Sequence, residues 1–392
     1  MLTVSPSPHD HAPDTVRRIM LDVAVALVPA CMAALYFFGV RAALLLVVCV
    51  GTALAVEALC RLAMGRPQTL RDGSALVTGI LLALNLPPDL PLWQAALGAV
   101  VAIAIAKQLF GGLGKNPFNP ALVGRAFLLI SFTGAMTTWS PSDWRRDAAS
   151  PEREVQSLQG ATCTADATTT ATPLGTAKAF FAATASPDGR TAASSATASP
   201  DGRTAAPSAA ASPDGRTAAP SATASPDGRT VFGLPKQPFA WDAALRRRMF
   251  LGDVNGCIGE TSALALLLGG LFLLWRRVIT WHVPVAYLGT VAVYAAIAHA
   301  ISPATTMPAD FHLLAGGLML GALFMATDMV TTPVTHSGLL VFGVGCGLLT
   351  MIIRTVPGGS YPEGVSFAIL IMNATTPLIN RATRPRAFGT RR

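Results

Sequence analysis

Apolar residues run in long blocks along this chain, broken by short polar punctuation. The blocks fall at 20–38, 42–64, 92–110, 120–135, 257–275, 281–301, 311–327, 337–353 and 364–379. Several are long enough to cross a hydrocarbon core, which takes roughly 20 residues of helix. A tenth block, "GSALVTGILLALNLPP" at 73–88, stops early at a Pro-Pro pair and reads as a half-spanning or tilted helix. The pattern predicts an all-α polytopic membrane protein of about ten transmembrane helices. Its third and eighth members are short or broken: "LLALNLPP" and "LFMATDMVTTP" each have a small-residue start, a Leu/Phe centre and a polar end before proline. That correspondence predicts a 5+5 inverted repeat with sites near its pseudo-twofold axis.

Composition agrees with the pattern. Of 392 residues, 52% are hydrophobic and 13% charged, with a mean hydropathy of +0.49, well outside soluble globular usage. The first 19 residues are polar and proline-bearing, so no cleavable signal peptide is expected and the first helix stays. The net charge of +8 is no sign of nucleic acid, because the cations cluster at block ends. Arg17, Arg18, Arg61, Arg66, Arg71, Lys107, Lys115, Arg276, Arg277 and the C-terminal arginines share one side, against Arg41 and Arg354 on the other. Both termini are thus expected in the cytoplasm, in the inner membrane of a bacterium, with the long 136–255 segment extracytoplasmic. The expected organisation is a tail at 1–19, a first membrane half at 20–135, the outer loop at 136–255, a second half at 256–380 and a basic tail at 381–392.

The outer loop carries a repeat. "ATASPDGRTAASS" and its copies recur every 13 residues, with Ser186, Ser199, Ser212 and Ser225 marking the register across about 184–230. Such Ala/Ser/Pro/Asp/Gly units cannot bury an apolar face and read as a solvated linker. Trp139, Trp144 and Trp241 flank it at positions suited to headgroup depth.

Candidate chemistry is sparse. Six cysteines are scattered singly, without metal-ligand spacing, and no metal is expected. Asp328 in "MATDMV" and Glu260 in "IGETS" are costly at membrane depth and are ion-path candidates, unless each caps a broken helix. Asp22 and Glu57 face the same choice, Glu57 being expected to pair or face the bundle. Asn116 and Asn119 in "KNPFNP" are expected to tie loop backbone or to bond the edge of a bound group. The tract "CTADATTTATPLGTAKAF" at 163–180 is by composition either solvated linker or an attachment site for a group that needs an exposed hydroxyl.

Several long stretches carry a resemblance: "GSALVTGILLALNLPPDLPLWQAALGAVVAIAIAKQLFGGLGKNPFNPALVGRAFLLISF", "GCIGETSALALLLGG", "HLLAGGLMLGALFMATDMVTTPVT" and "YPEGVSFAILIMNATTPLINRATRPRAFG". Together they resemble the D subunit of the Rnf electron-transport complex, and are similar to the B subunit of the sodium-translocating NADH:quinone oxidoreductase. "NPFNP", "MTTW" and the short N-terminus favour the Rnf protein. The resemblance implies a subunit of an ion-translocating oxidoreductase (a translocase). Its FMN would be esterified through phosphate to a threonine, placed by a flavin transferase that reads a pattern like Asp-x-x-(Ser/Thr)-Gly-Ala-Thr. Here Asp166, Thr169, Thr170, Ala171 and Thr172 occupy that pattern, with Thr172 as acceptor and Thr170 where glycine is usual. It further implies riboflavin as a candidate second flavin within the bundle, flavin-bearing and iron–sulfur partner subunits, surrounding lipid, and coupling of ferredoxin/NAD electron transfer to Na+ or H+ movement. No residue need act as an acid, base or nucleophile in turnover, so no catalytic residue is assigned. Asn380 stands in "PLIN" where the family often has "PLID", so no ion-handling role transfers to it. A solute channel or secondary transporter, or a flavin-free membrane scaffold, also suits ten such helices.

Overall fold

A computed structural model describes residues 15–137, 241–254, 256–260, 262–303, 306–355 and 364–384. Every regular element among them is helical. The flavin-attachment motif at 166–172 and the 13-residue repeats lie outside the described residues.

Helix α1 (Val16–Ala63) starts on Thr15, whose hydroxyl accepts the Arg18 amide at 3.3 Å. A straight helix of 48 residues would be ~72 Å long, over twice the ~30 Å hydrocarbon core. It is not straight: Gly39 has φ 57°, ψ −137°, a conformation open to glycine, and divides α1 where the sequence pattern separates its first two blocks. The chain then passes through a single 3₁₀ turn (Leu70–Asp72) into α2 (Ser74–Leu84). Asp72 accepts both the amide and the hydroxyl of Ser74, at 2.8 and 2.6 Å, which fixes the start of α2. With 11 residues α2 spans ~16 Å, about half the hydrocarbon core, as its early Pro-Pro stop predicts.

Next comes α3 (Leu92–Val100), which widens into a π-helical stretch over Val101–Gln108. After it, α4 (Pro120–Ser131) is capped by the Asn119 side chain with proline at its first position, and α5 (Thr133–Met136) adds one turn. The later part comprises α6 (Ala243–Leu251), α7 (Ala263–Trp275), α8 (His282–Ile301), α9 (Ala309–Leu314), α10 (Leu318–Leu320) with a π turn at Gly321–Met325, α11 (His336–Thr355) and α12 (Val365–Thr383). The eighth predicted block is therefore the most interrupted of all. It breaks at Ala315–Gly317, and Arg354 donates to the freed carbonyls of His312 and Ala315, each at 2.8 Å.

Among the described residues three helices, α1, α8 and α11, are long and apolar enough to cross a membrane; α2, α3 with its π extension, α4 and α7 are shorter apolar helices. Close packing at glycine joins them. A Cβ on Gly269 of α7 would lie 2.1 Å from the Ala26 carbonyl oxygen of α1, and one on Gly79 of α2 would lie 2.8 Å from Val50 Cα. The small residue in each case lets two backbones touch. The resulting core runs through Leu27, Leu82, Leu84, Tyr287 and Phe342, all buried.

Candidate functional site

A partly open pocket lies between the start of α1, α2, the end of the α3 π stretch, the 113–120 loop and the turn after Met325. Its cavity volume is about 90 Å³. Met20, Val77, Leu273 and Phe324 give it apolar walls, while Ser74, Thr78, Lys107, Asn116, Asn119 and Asp328 bring polar groups. The pocket thus brings together three residues singled out in the sequence: Asn116, Asn119 and Asp328.

Each of the three also shapes the backbone. Asn119 accepts the Ala121 amide at 3.1 Å as the cap of α4, and its Nδ2 donates to the Met325 carbonyl at 3.2 Å, tying α4 to the π turn. Asn116 Nδ2 donates to the Phe118 carbonyl at 3.0 Å, while its Oδ1 is buried with no partner. Buried acceptors are almost always satisfied, so a lone one on a pocket wall marks a place for a donor. Asp328 accepts the Val330 amide and the Thr331 hydroxyl, each at 3.3 Å, in the turn that closes the broken helix.

Beneath the pocket lies a buried ion pair. Lys107 Nζ is 2.8 Å from Glu57 Oε2 and donates to Ser74 Oγ at 2.6 Å. Glu57 Oε1 accepts from Gln108 Nε2 at 3.1 Å and from the Thr69 hydroxyl at 2.9 Å. Glu57 therefore both pairs and faces the bundle, as expected. Asp22 is likewise paired, with Arg276 Nη2 at 2.8 Å and Nε at 3.2 Å.

Glu260 lies elsewhere, against Arg125, whose Nη1 and Nη2 each stand 3.2 Å from Glu260 Oε1. Arg125 also donates to Asn85 Oδ1 and, at 3.5 Å, to Cys257 Sγ. Glu260 caps no helix; Ser262 does so for α7, accepting the Ala265 amide at 3.2 Å. The structure therefore separates Glu260 from Asp328, joining the first to a four-residue polar knot and the second to the pocket. Lys107, Arg125 and Asn85 were not among the predicted site residues. Their signal was present: Lys107 and Arg125 are cations inside apolar blocks, where a charge is expensive unless it has a task or a partner.

The helices and the polar pocket define an all-helical protein of membrane character that keeps charged and amide side chains inside an apolar bundle. The chain belongs to the NQR2, RnfD, RnfE family, whose profile matches residues 3–389. It is 38% identical over 394 residues to the D subunit of the proton-translocating ferredoxin:NAD(+) oxidoreductase complex of Clostridium ljungdahlii, covering all of this chain and 97% of that one. It is 39% identical over 390 residues to the D subunit of the Na(+)-translocating ferredoxin:NAD(+) oxidoreductase complex of Acetobacterium woodii, covering 99% and 95%. It is 41% identical over 377 residues to the D subunit of the ion-translocating oxidoreductase complex of Stutzerimonas stutzeri, covering 96% and 92%.

Proposed function

We propose that this chain is the membrane subunit of an Rnf-type complex, passing electrons through an FMN esterified to Thr172 while ferredoxin/NAD electron transfer is coupled to Na+ or H+ translocation. The observation that carries this reading is similarity along nearly the whole chain to D subunits named for ferredoxin:NAD(+) oxidoreduction. A channel or bare scaffold offers no reason for Asp166, Thr169, Thr170, Ala171 and Thr172 to stand in a flavin-transferase pattern. A hydroxyl in a long polar loop lets a transferase grip the backbone and present the oxygen in line for phosphoryl transfer.

A second flavin, of the riboflavin type, is proposed for the pocket. Asn116 Oδ1 supports it as a buried acceptor lacking a donor, and the apolar walls suit the flat face of a ring. The 90 Å³ cavity has room for the edge of such a ring, which Asn116 and the apolar walls would hold. When bound, the flavin supplies the redox chemistry. Asn116 would accept from the ring edge, Asn119 would hold the loop and the π turn in register, and Lys107 would keep a positive charge, shared with Glu57, at the pocket floor. Asp328 and Glu260 remain proposals for the ion path, Asp328 being the one that borders the pocket.

The ten-span, 5+5 arrangement with cytoplasmic termini in a bacterial inner membrane belongs to the same proposal. Two correspondences support it: a short or broken helix in each half, α2 and α9–α10, and a polar residue closing each, Asn85 and Asp328. The partners are other Rnf subunits bearing flavins and iron–sulfur clusters, the flavin transferase during maturation, and lipid.

The test is the purified chain, produced with and without a flavin transferase and run on a denaturing gel under ultraviolet light. Fluorescence should survive denaturation only with the transferase, and peptide mass spectrometry should find an FMN phosphoester on the 163–178 peptide that is lost in Thr172→Ala. An unmodified peptide despite active transferase would remove the covalent flavin and favour the scaffold or channel.

A further inference from the structure

Between α3 and α4 the chain turns through "GGLGK" at 111–115, where Gly111, Gly112 and Gly114 hold φ of 111°, 97° and 89°. Side chains crowd the first two. A Cβ on Gly112 would lie 2.6 Å from Arg61 Nη2 and 3.8 Å from Gln108 Oε1; one on Gly111 would lie 2.9 Å from Lys115 Cδ and 3.9 Å from Arg66 Nη1. The side chains of three cationic residues thus approach two adjacent glycines, whose lack of side chains makes room for them.

Arg61 is the telling member. Its exposure is only 9%, its Nε is buried without a hydrogen-bond partner, and it forms no ion pair among the described residues. One helical turn earlier on α1, Glu57 is the natural partner, yet its oxygens are held by Lys107, Gln108 and Thr69. The pair of Glu57 with Lys107 is electrically closed, which leaves the Arg61 charge over. A buried guanidinium without an anion is costly, and its planar fork matches phosphate oxygens. Gln108 Oε1 is buried and unpartnered beside it, an acceptor for a hydroxyl on the same occupant. Arg66 and Lys115 are exposed at the rim.

We propose that Arg61, Arg66 and Lys115, gathered around Gly111 and Gly112, form a binding site for a phosphate group at the basic end of the bundle. The site is independent of the flavin reading: it lies on the Gly111–Gly112 side of the loop, and neither glycine nor any of the three cations lines the pocket. The phosphate is either the headgroup of an anionic phospholipid or that of a free phosphate-bearing ligand, since both present the same oxygens to the same fork.

The full-length chain in phosphatidylcholine nanodiscs, titrated with inorganic phosphate against chloride at matched ionic strength, tests this by thermal unfolding. A saturable rise in Tm is expected, with apparent affinity weakened about tenfold or more in Arg61→Gln. The exposed double variant Arg66→Gln/Lys115→Gln should show the same loss, and keeps the test valid if Arg61→Gln fails to fold. Repeating the titration in phosphatidylglycerol nanodiscs separates the sources. A raised starting Tm with no further phosphate response assigns the site to a lipid headgroup, and a persisting response assigns it to a free phosphate-bearing ligand. No response to phosphate or to phosphatidylglycerol, or one unchanged in the variants, overturns the site.

Discussion

Arg125 on α4 and Glu260, just ahead of α7, face each other at 3.2 Å across 135 residues of chain, both buried. The contact locks the segment entering the second half of the bundle onto the first. Main-chain bonds flank it: the Ile258 and Gly259 amides donate to the Leu86 and Leu84 carbonyls, at 3.0 and 2.8 Å, around the end of α2. The Leu84 carbonyl ends α2 and the Leu86 carbonyl follows it, ahead of Pro87, so neither continues a helical ladder and the loop supplies the donors.

The pair predicts a non-additive mutational cycle. Glu260→Leu and Arg125→Met each leave one buried charge alone, which costs about 3–5 kcal/mol. The double variant Arg125→Met/Glu260→Leu removes both charges and should recover most of that loss. Unfolding of the detergent-solubilised protein in a denaturant series measures all three. Additive losses would mean that the two residues act separately and that the loop is held by backbone bonds alone.

Glycine packing gives a second prediction, with a built-in control. The Ala26 carbonyl of α1 occupies the place a methyl on Gly269 would take, at 2.1 Å, and being backbone it cannot rotate away. Gly269→Ala should therefore force α1 and α7 apart and destabilise by about 1–3 kcal/mol or more. Gly51, also helical, has nothing within 4 Å of its would-be Cβ. There alanine lowers the entropic cost of helix formation, and a gain of about 0.5–1 kcal/mol is expected. Equal responses at the two positions, read as Tm shifts, would refute the close approach of α1 and α7.

What the sequence made legible follows from which forces act locally. The breaks were visible because they are written in single residues: Pro87 and Pro88 end α2, and Asn119 with Pro120 starts α4. The division of α1 was visible too, since its two apolar blocks part at 39–41, where Gly39 takes φ 57°. The partners of Glu260 and Glu57 were hidden. Each lies far along the chain, on Arg125 and Lys107, and helix periodicity carries no information on which buried charge meets which. Asn116, Asn119 and Asp328 stood out as polar residues near broken helices, and the pocket collects all three. Ser74, which completes the polar wall beside Lys107, sits in an otherwise ordinary helical run and was visible only in three dimensions.

The two asparagines of the pocket should respond differently to truncation, because one side chain is committed to the fold and the other is half free. Asn119 caps α4 and holds the Met325 carbonyl, so Asn119→Ala should lower stability by about 0.5–2 kcal/mol whether or not flavin is added. Asn116 spends only its Nδ2, on the Phe118 carbonyl, and its buried Oδ1 bonds nothing. Removing an unsatisfied acceptor relieves the desolvation it suffers, which offsets the lost Phe118 bond, and Asn116→Ala should change the stability of flavin-free protein by under about 1 kcal/mol. Riboflavin that donates to that oxygen loses a hydrogen bond of about 0.5–1.5 kcal/mol in the variant, so its affinity should weaken about 2- to 12-fold. Titrating riboflavin against both variants in nanodiscs, in a Thr172→Ala background and read by fluorescence quenching, isolates the non-covalent site. Undiminished affinity in Asn116→Ala, with Asn119→Ala destabilised as expected, would mean that the pocket is a structural seam and that any second flavin binds elsewhere.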